Sequence, residues 1–282
     1  MHFAPVSKPR ILCYITIAAS GGNGQFFIEE ETMAYETITY QVSGGIGRIT
    51  FNRPQVMNAL TPGMLKELKA AVLRAGKDGE VRIIVLTGAG RAFCAGVDLK
   101  AMGDQKLVNG KVGDFLDVPA RELIDAIRSV PKVVINLVNG FCFTGAMEIM
   151  LACDIVIASE DARIGDTHAK WGLRPTWGMS ARLPRRVGHL KAKELSFTAE
   201  AITAKEAERI GLINMAVPGD KLEEALQNMA KKIMANSAQS IAAYKQLYNT
   251  NESLTLDKSL ELEFNSDFKI TDGLERLSAF IK

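Results

Sequence analysis

"VNGFCFTGAMEIMLACDIVIASEDARIGDTHAKWG", residues 138–172, decides how the chain is read. It runs from a buried strand into Gly140, through a loop, and into a helix beginning near Gly145 and opened by Thr144. Two strand patterns follow, "DIVIAS" and "ARIGD". Such alternation implies a parallel sheet system with helices packed outside. Inside it stands a lone carboxylate, Glu148, among small and apolar residues, and His168 follows the last strand. A charge there is costly unless it is partnered or used.

Working outward, "YETITYQV" and "IGRITF" alternate with period two around Gly44-Gly45 and read as a hairpin. "TPGMLKELKAAVLRAG" is a helix with Thr61 as cap and Pro62 in the first turn. "VRIIVLTG" and "KVVINLVNG" are buried strands, and "PARELIDAIRSV" is a helix stopped by Pro131. Beyond Gly188 the pattern is mainly helical. "TAKEAERIG" opens with a capping box, Thr203 and Glu206, and three amphipathic helices follow it. Three segments are expected: an N-terminal extension (1–32), an α/β core (33–219) and a helical C-terminal region (220–282).

The 282 residues, 47% of them hydrophobic, suffice for a large core. Net charge is +2, with Lys and Arg scattered, so neither a nucleic-acid face nor a membrane-binding basic run is expected. Cys13, Cys94, Cys142 and Cys153 lack metal-ligand spacing. Three of them lie in apolar stretches and read as buried free thiols, which favours a reducing, cytoplasmic setting. The N-terminus holds Lys8, Arg10 and a nine-residue apolar run, Ile11 to Ala19, similar to a short secretory signal. The preferred alternative is a misassigned start. Met33 opens the regular patterning, and the codons of Glu29, Glu30 and Glu31 are purine-rich like a ribosome-binding site.

Two segments can carry chemistry. "LTGAGRAFCAGVDLK", residues 86–100, lacks the third glycine of a dinucleotide fingerprint, but Ala95-Gly96 permits an unusual turn that could aim the Val97 N–H outward. A helix N-terminus near Gly145 offers free N–H groups to an oxygen that becomes negative during reaction. Glu148 is there either to compensate the helix dipole or to act as a general acid/base with a raised pKa.

"RITFNRPQVMNAL", "GRAFCAGVDLK", "VNGFCFTGAMEIMLACDIVIASEDARIG" and "RLPRRVG" together resemble the enoyl-CoA hydratase/isomerase, or crotonase, superfamily, from about Tyr35 onward. The resemblance implies a crotonase-like spiral of ββα units with a helical C-terminal region used in trimer packing. It implies an acyl-CoA thioester as substrate, with coenzyme A entering as part of the substrate and no separate cofactor or metal. The thioester oxygen would lie in an oxyanion hole between the N–H groups of Val97 and Gly145. CoA would lie against Val56, Met57 and Ala59, and against Ala95 and Lys100. Glu148 maps onto the first catalytic glutamate.

The sequence departs from the family pattern in places. His168 stands where a second glutamate is usual, preceded by Asp166 and Thr167. Thr144 interrupts the usual glycine run, leaving Gly145. In "LRPTWGMS", Trp177 is bulky and either narrows the acyl pocket or packs the strand end. The basic tail usual after the final helix is missing. The expected activity is enoyl-CoA hydration by a Glu148/His168 pair. Rivals are double-bond isomerisation by Glu148 alone, acyl-CoA hydrolysis or C–C cleavage with His168 activating water, and non-catalytic acyl-CoA binding. Leu254, Leu256, Leu260, Leu262, Phe264 and Phe268 give the C-terminal helices surplus apolar surface, so a homotrimer or dimer of trimers is expected.

Overall fold

The structure, a computed structural model, describes residues 35–100 and 107–281. The expected extension 1–32 and residues 101–106 lie outside the described residues. The hairpin forms as read. β1 (Ile38–Ser43) pairs antiparallel with β2 (Ile46–Phe51) through the turn at Gly44-Gly45. α1 (Pro62–Lys77) follows, its Thr61 hydroxyl accepting the Met64 N–H.

Three strand pairs then step across two sheets. They are β3 (Ile83–Gly88) with β4 (Ala92–Cys94), β5 (Val133–Val138) with β6 (Phe141–Phe143), and β7 (Ile155–Ser159) with β8 (Arg163–Gly165). The first member of each pair joins a six-stranded sheet of order β1-β2-β3-β5-β7-β10. The second member joins a four-stranded sheet of order β4-β6-β8-β9. Each step advances one position in both sheets at once, which makes the chain a spiral of repeating units. α2 (Asp114–Ser129) and α3 (Gly145–Ala152) follow the first two pairs. Then come α4 (Met179–Val187), α5 (His189–Thr198), β9 (Ile202–Thr203) and α6 (Ala204–Arg209). β10 (Met215–Val217), α7 (Leu222–Met234), α8 (Ala238–Asn251), α9 (Leu256–Asn265) and α10 (Gly273–Ile281) complete the described chain.

The main core lies between the sheets and α1–α3. The opposite face of the larger sheet is covered by α7, whose Leu222, Leu226 and Ala230 pack on Ile46, Ile83, Val85, Ile135 and Ile157. Three details differ from the sequence reading. α2 begins at Asp114 and holds Pro119 in its interior; this early in the helix the ring sacrifices one backbone hydrogen bond. β10 returns to the sheet inside the helical third, too short to show periodicity. In the capping box, Thr203 accepts the Glu206 N–H as read, but the Glu206 carboxylate binds Arg209 instead of turning back.

Candidate active site

Every residue of α3 is buried, because the helix is apolar all round and threads the core. Glu148 is therefore carried into the interior, 1% exposed. Its two oxygens have different surroundings. Oε1 accepts the backbone N–H groups of Trp177 (3.0 Å) and Met179 (2.9 Å). Met179 is the first residue of α4, so the carboxylate also meets the positive end of that helix. Oε2 faces His168 Nε2 at 3.6 Å, too long for a hydrogen bond and short enough for strong electrostatic coupling. Burial pushes the Glu148 carboxyl up from 4.5 to about 7, against the opposing pull of His168 and the two N–H donors.

His168, 7% exposed, is held from behind. Asp166 Oδ1 takes its Nδ1 at 2.6 Å and its backbone N–H at 3.3 Å. Ser196, from α5, donates to Asp166 Oδ2 at 2.7 Å. Burial would raise the Asp166 carboxyl, but the hydrogen bonds from His168 and Ser196 outweigh it and hold it below the ordinary aspartate value. Thr167 is tied separately, its hydroxyl 2.5 Å from that of Thr144. Thr144 does precede α3 as its N-cap residue, but its side chain makes no cap hydrogen bond. It adopts φ 54° and ψ −113°, a conformation costly for a β-branched residue.

The turn at residues 94–98 lies beside this helix start. Leu60 N–H donates to Gly96 O and Asp98 N–H to Leu60 O, so the bridge Leu60–Val97 leaves the Val97 N–H turned away from Leu60. Gly96 has φ 94°, and a Cβ there would lie 3.0 Å from Phe143 O and 3.3 Å from Thr144 Cβ. The two expected donors, Val97 and Gly145, therefore each follow a residue of one tight contact. Gly145 opens α3, where N–H groups lack intrahelical partners. Its other side is closed by Trp177, since a Cβ on Gly145 would be 2.4 Å from the indole.

Trp177 is buried, with Nε1 donating to Asp117 at 2.8 Å, and its indole packs against Gly145 at the start of α3. The expected CoA residues gather on the rim next to Val97. Ala95 N–H donates to Met57 O; Val56 and Lys100 are exposed, Met57 and Ala95 half-buried and Ala59 buried. Several contributors escaped the sequence reading. Asn58, fully buried, donates to the carbonyls of Ala89, Ala92 and Phe93 and so fixes the rim onto β4. Arg182 donates to Trp177 O, and Ser196 backs Asp166. Asp117 carried the one usable signal, an acid on the apolar stripe of α2 beside Leu116 and Ala120. Among the described residues no cluster of side chains could hold a metal ion, and no helix is long and apolar enough to cross a membrane.

The family model for enoyl-CoA hydratase/isomerase matches residues 41–276. The chain belongs to the enoyl-CoA hydratase/isomerase family. It is 37% identical over 252 residues to a Rhizobium meliloti protein named "Probable enoyl-CoA hydratase", covering 88% of this chain and 96% of that one. It is 34% identical over 254 residues to the short-chain-enoyl-CoA hydratase of Clostridium acetobutylicum, with coverage of 89% and 96%. A solved enoyl-CoA hydratase from Bacillus anthracis superposes with TM-score 0.79 at 31% identity, over 87% of this chain and 96% of that one. The spiral expected from the four motifs is thus the family's fold. The buried Glu148–His168–Asp166 row lies at the place where the resemblance led one to expect a second glutamate.

Proposed function

We propose that the chain is an enoyl-CoA hydratase acting on a short 2-enoyl thioester. The observation that carries this reading is the pair at the foot of α3. One Glu148 oxygen is committed to two backbone donors, and the other faces His168 Nε2 at 3.6 Å. Two groups that can hold and release a proton side by side suit the addition of water across a double bond; isomerisation needs only one.

In the forward direction the thioester carbonyl lies between the N–H groups of Val97 and Gly145. These stabilise the enolate as charge moves onto oxygen. Ionised Glu148 takes a proton from water at Oε2 while the water oxygen bonds the β-carbon. His168 delivers a proton from Nε2 to the α-carbon. The elements of water are added and no electrons are exchanged, so coenzyme A enters only as part of the substrate. CoA rests against Val56, Met57, Ala59, Ala95 and Lys100. The indole of Trp177 beside Gly145 limits the acyl group to a short chain, in keeping with the short-chain name of the Clostridium relative. The assembly is a homotrimer or a dimer of trimers, supported by the uncovered apolar stripe of α9.

The test is to follow hydration of a four-carbon 2-enoyl-CoA by loss of its conjugated absorbance. Glu148→Gln keeps the two backbone hydrogen bonds and is expected to abolish turnover while CoA-ester binding persists. A silent substitution in an enzyme that hydrates would sink the mechanism. Double-bond migration alone, insensitive to His168→Gln, would replace it with isomerisation.

A further inference from the structure

The row of buried groups continues behind His168, and its far members have no part in the proton transfers written above. Asp166 Oδ1 holds the imidazole Nδ1 and the His168 backbone N–H together, at 2.6 and 3.3 Å. The second oxygen of Asp166 is occupied by Ser196 at 2.7 Å, from a different element, α5. Between them, Thr167 is tied to Thr144 at the start of α3. Three consecutive residues, 166 to 168, are thus fastened by separate partners. A histidine kept only for packing needs no such backing; a single bond would satisfy one ring nitrogen.

We propose that Asp166, held by Ser196, is a positioning residue. It keeps the Nδ1 proton of His168 on the Asp166 side and leaves Nε2 facing Glu148 as the nitrogen that loads and unloads the transferred proton. This inference rests on the hydratase reading for its kinetic consequence and is independent of it for its structural one. The cycle then closes within the protein. Water gives its proton to Glu148 Oε2 and its oxygen to the β-carbon. His168 gives its Nε2 proton to the α-carbon and becomes neutral. The proton on Glu148 passes to the vacated Nε2, 3.6 Å away, directly after a small side-chain shift or through one water. Both groups return to their starting states with one water consumed. The carboxylate of Asp166 stabilises the imidazolium and fixes the tautomer without itself changing protonation. Asparagine cannot do this, because it can turn its amide N–H toward Nδ1 and drive the proton to Nε2.

The test combines nitrogen NMR with kinetics. In wild-type protein selectively labelled with 15N-histidine, the His168 signals, assigned by loss in His168→Gln, are expected to show a protonated Nδ1. Asp166→Asn is expected to shift the tautomer toward Nε2–H. It should lower kcat for hydration by at least about tenfold, within the range of a general acid–base contribution, with KM changed by less than about threefold. Ser196→Ala, which leaves the Asp166–His168 bond in place, should lower kcat by a few-fold at most and keep the wild-type tautomer. A wild-type His168 with a bare Nδ1 would overturn the proposal even if Asp166→Asn fails to fold. So would a folded Asp166→Asn enzyme with unchanged kcat. If wild-type protein hydrates no enoyl-CoA yet shows the protonated Nδ1, the hydratase reading fails and the positioning assignment stands.

Discussion

At the scale of single residues, Glu148 concentrates the conflict between folding and chemistry. Its pKa is raised by burial from 4.5 to about 7, so the folded state keeps the proton over a range in which the unfolded chain has lost it. Stability therefore falls as pH rises from about 4.5 to about 7 and is lowest, for this group, above that window. Glu148→Gln removes the ionisable group and keeps the acceptor for Trp177 and Met179. It is expected to be more stable than wild type at pH 8, by up to about 3 kcal/mol on a one-unit equivalence of 1.36 kcal/mol, with the difference shrinking as pH falls through 7. Urea unfolding at pH 5 and pH 8 checks this; an equal or larger advantage at pH 5 would contradict the sign. Glu148 was legible in the sequence because a lone acid in an apolar helix is an anomaly. His168 was legible by its place after "ARIG". Ser196 was not, since nothing in "HLKAKELSFT" distinguishes a serine that reaches across 30 positions to a buried aspartate.

At the scale of elements, a buried cation on α8 ties that helix to the spiral. Lys245 Nζ donates to Ile127 O at the end of α2, to Lys132 O ahead of β5, and to Asp154 Oδ2 ahead of β7. Asp154 in turn accepts the Val134 N–H, so four elements meet at that ammonium group. Lys245→Ala takes this donor from two carbonyls and leaves the Asp154 carboxylate with the Val134 N–H and no counter-charge. It is expected to cost about 3–5 kcal/mol, the scale for breaking one side of a buried pair. Thermal unfolding measures it, and a loss below about 1 kcal/mol would mean that water replaces the ammonium group fully. The elements themselves were mostly readable, since strands such as "KVVINLVNG" and helices such as "DKLEEALQNMAKKIMAN" carry their period openly. The misses had local causes. The start of α2 was hidden because Pro119 resembles a boundary, and β10 because three residues cannot display a period. The join of α7 to the outer face of the sheet depends on contacts far apart in the chain, which no local pattern encodes.

At the scale of the whole molecule, the C-terminal helices leave an apolar stripe uncovered. Leu256, Leu260 and Phe264 recur every four residues along one face of α9, and Phe264 is 89% exposed. Of the other apolar residues noted in this region, Leu254, Leu262 and Phe268 are partly covered within the chain. A second exposed pair, Leu190 and Phe197, lies one heptad apart on α5. Two unlike apolar patches on one chain suit a cyclic ring, whose interfaces join different surfaces of neighbouring copies, better than a twofold dimer, which joins a surface to itself. The expected assembly is therefore a trimer, or two trimers stacked, with the α9 stripe of one copy against a different surface of the next. Light scattering at micromolar concentration should give a multiple of three chains for wild type. Phe264→Asp should shift the mass toward one chain while circular dichroism stays unchanged, because the side chain makes little contact within its own fold. Phe197→Asp should do the same if α5 supplies the opposite surface. A wild-type monomer would refute the assembly. An intact trimer in Phe264→Asp would move the interface elsewhere, and an intact trimer in Phe197→Asp alone would leave α9 in place and reject α5 as its counterpart.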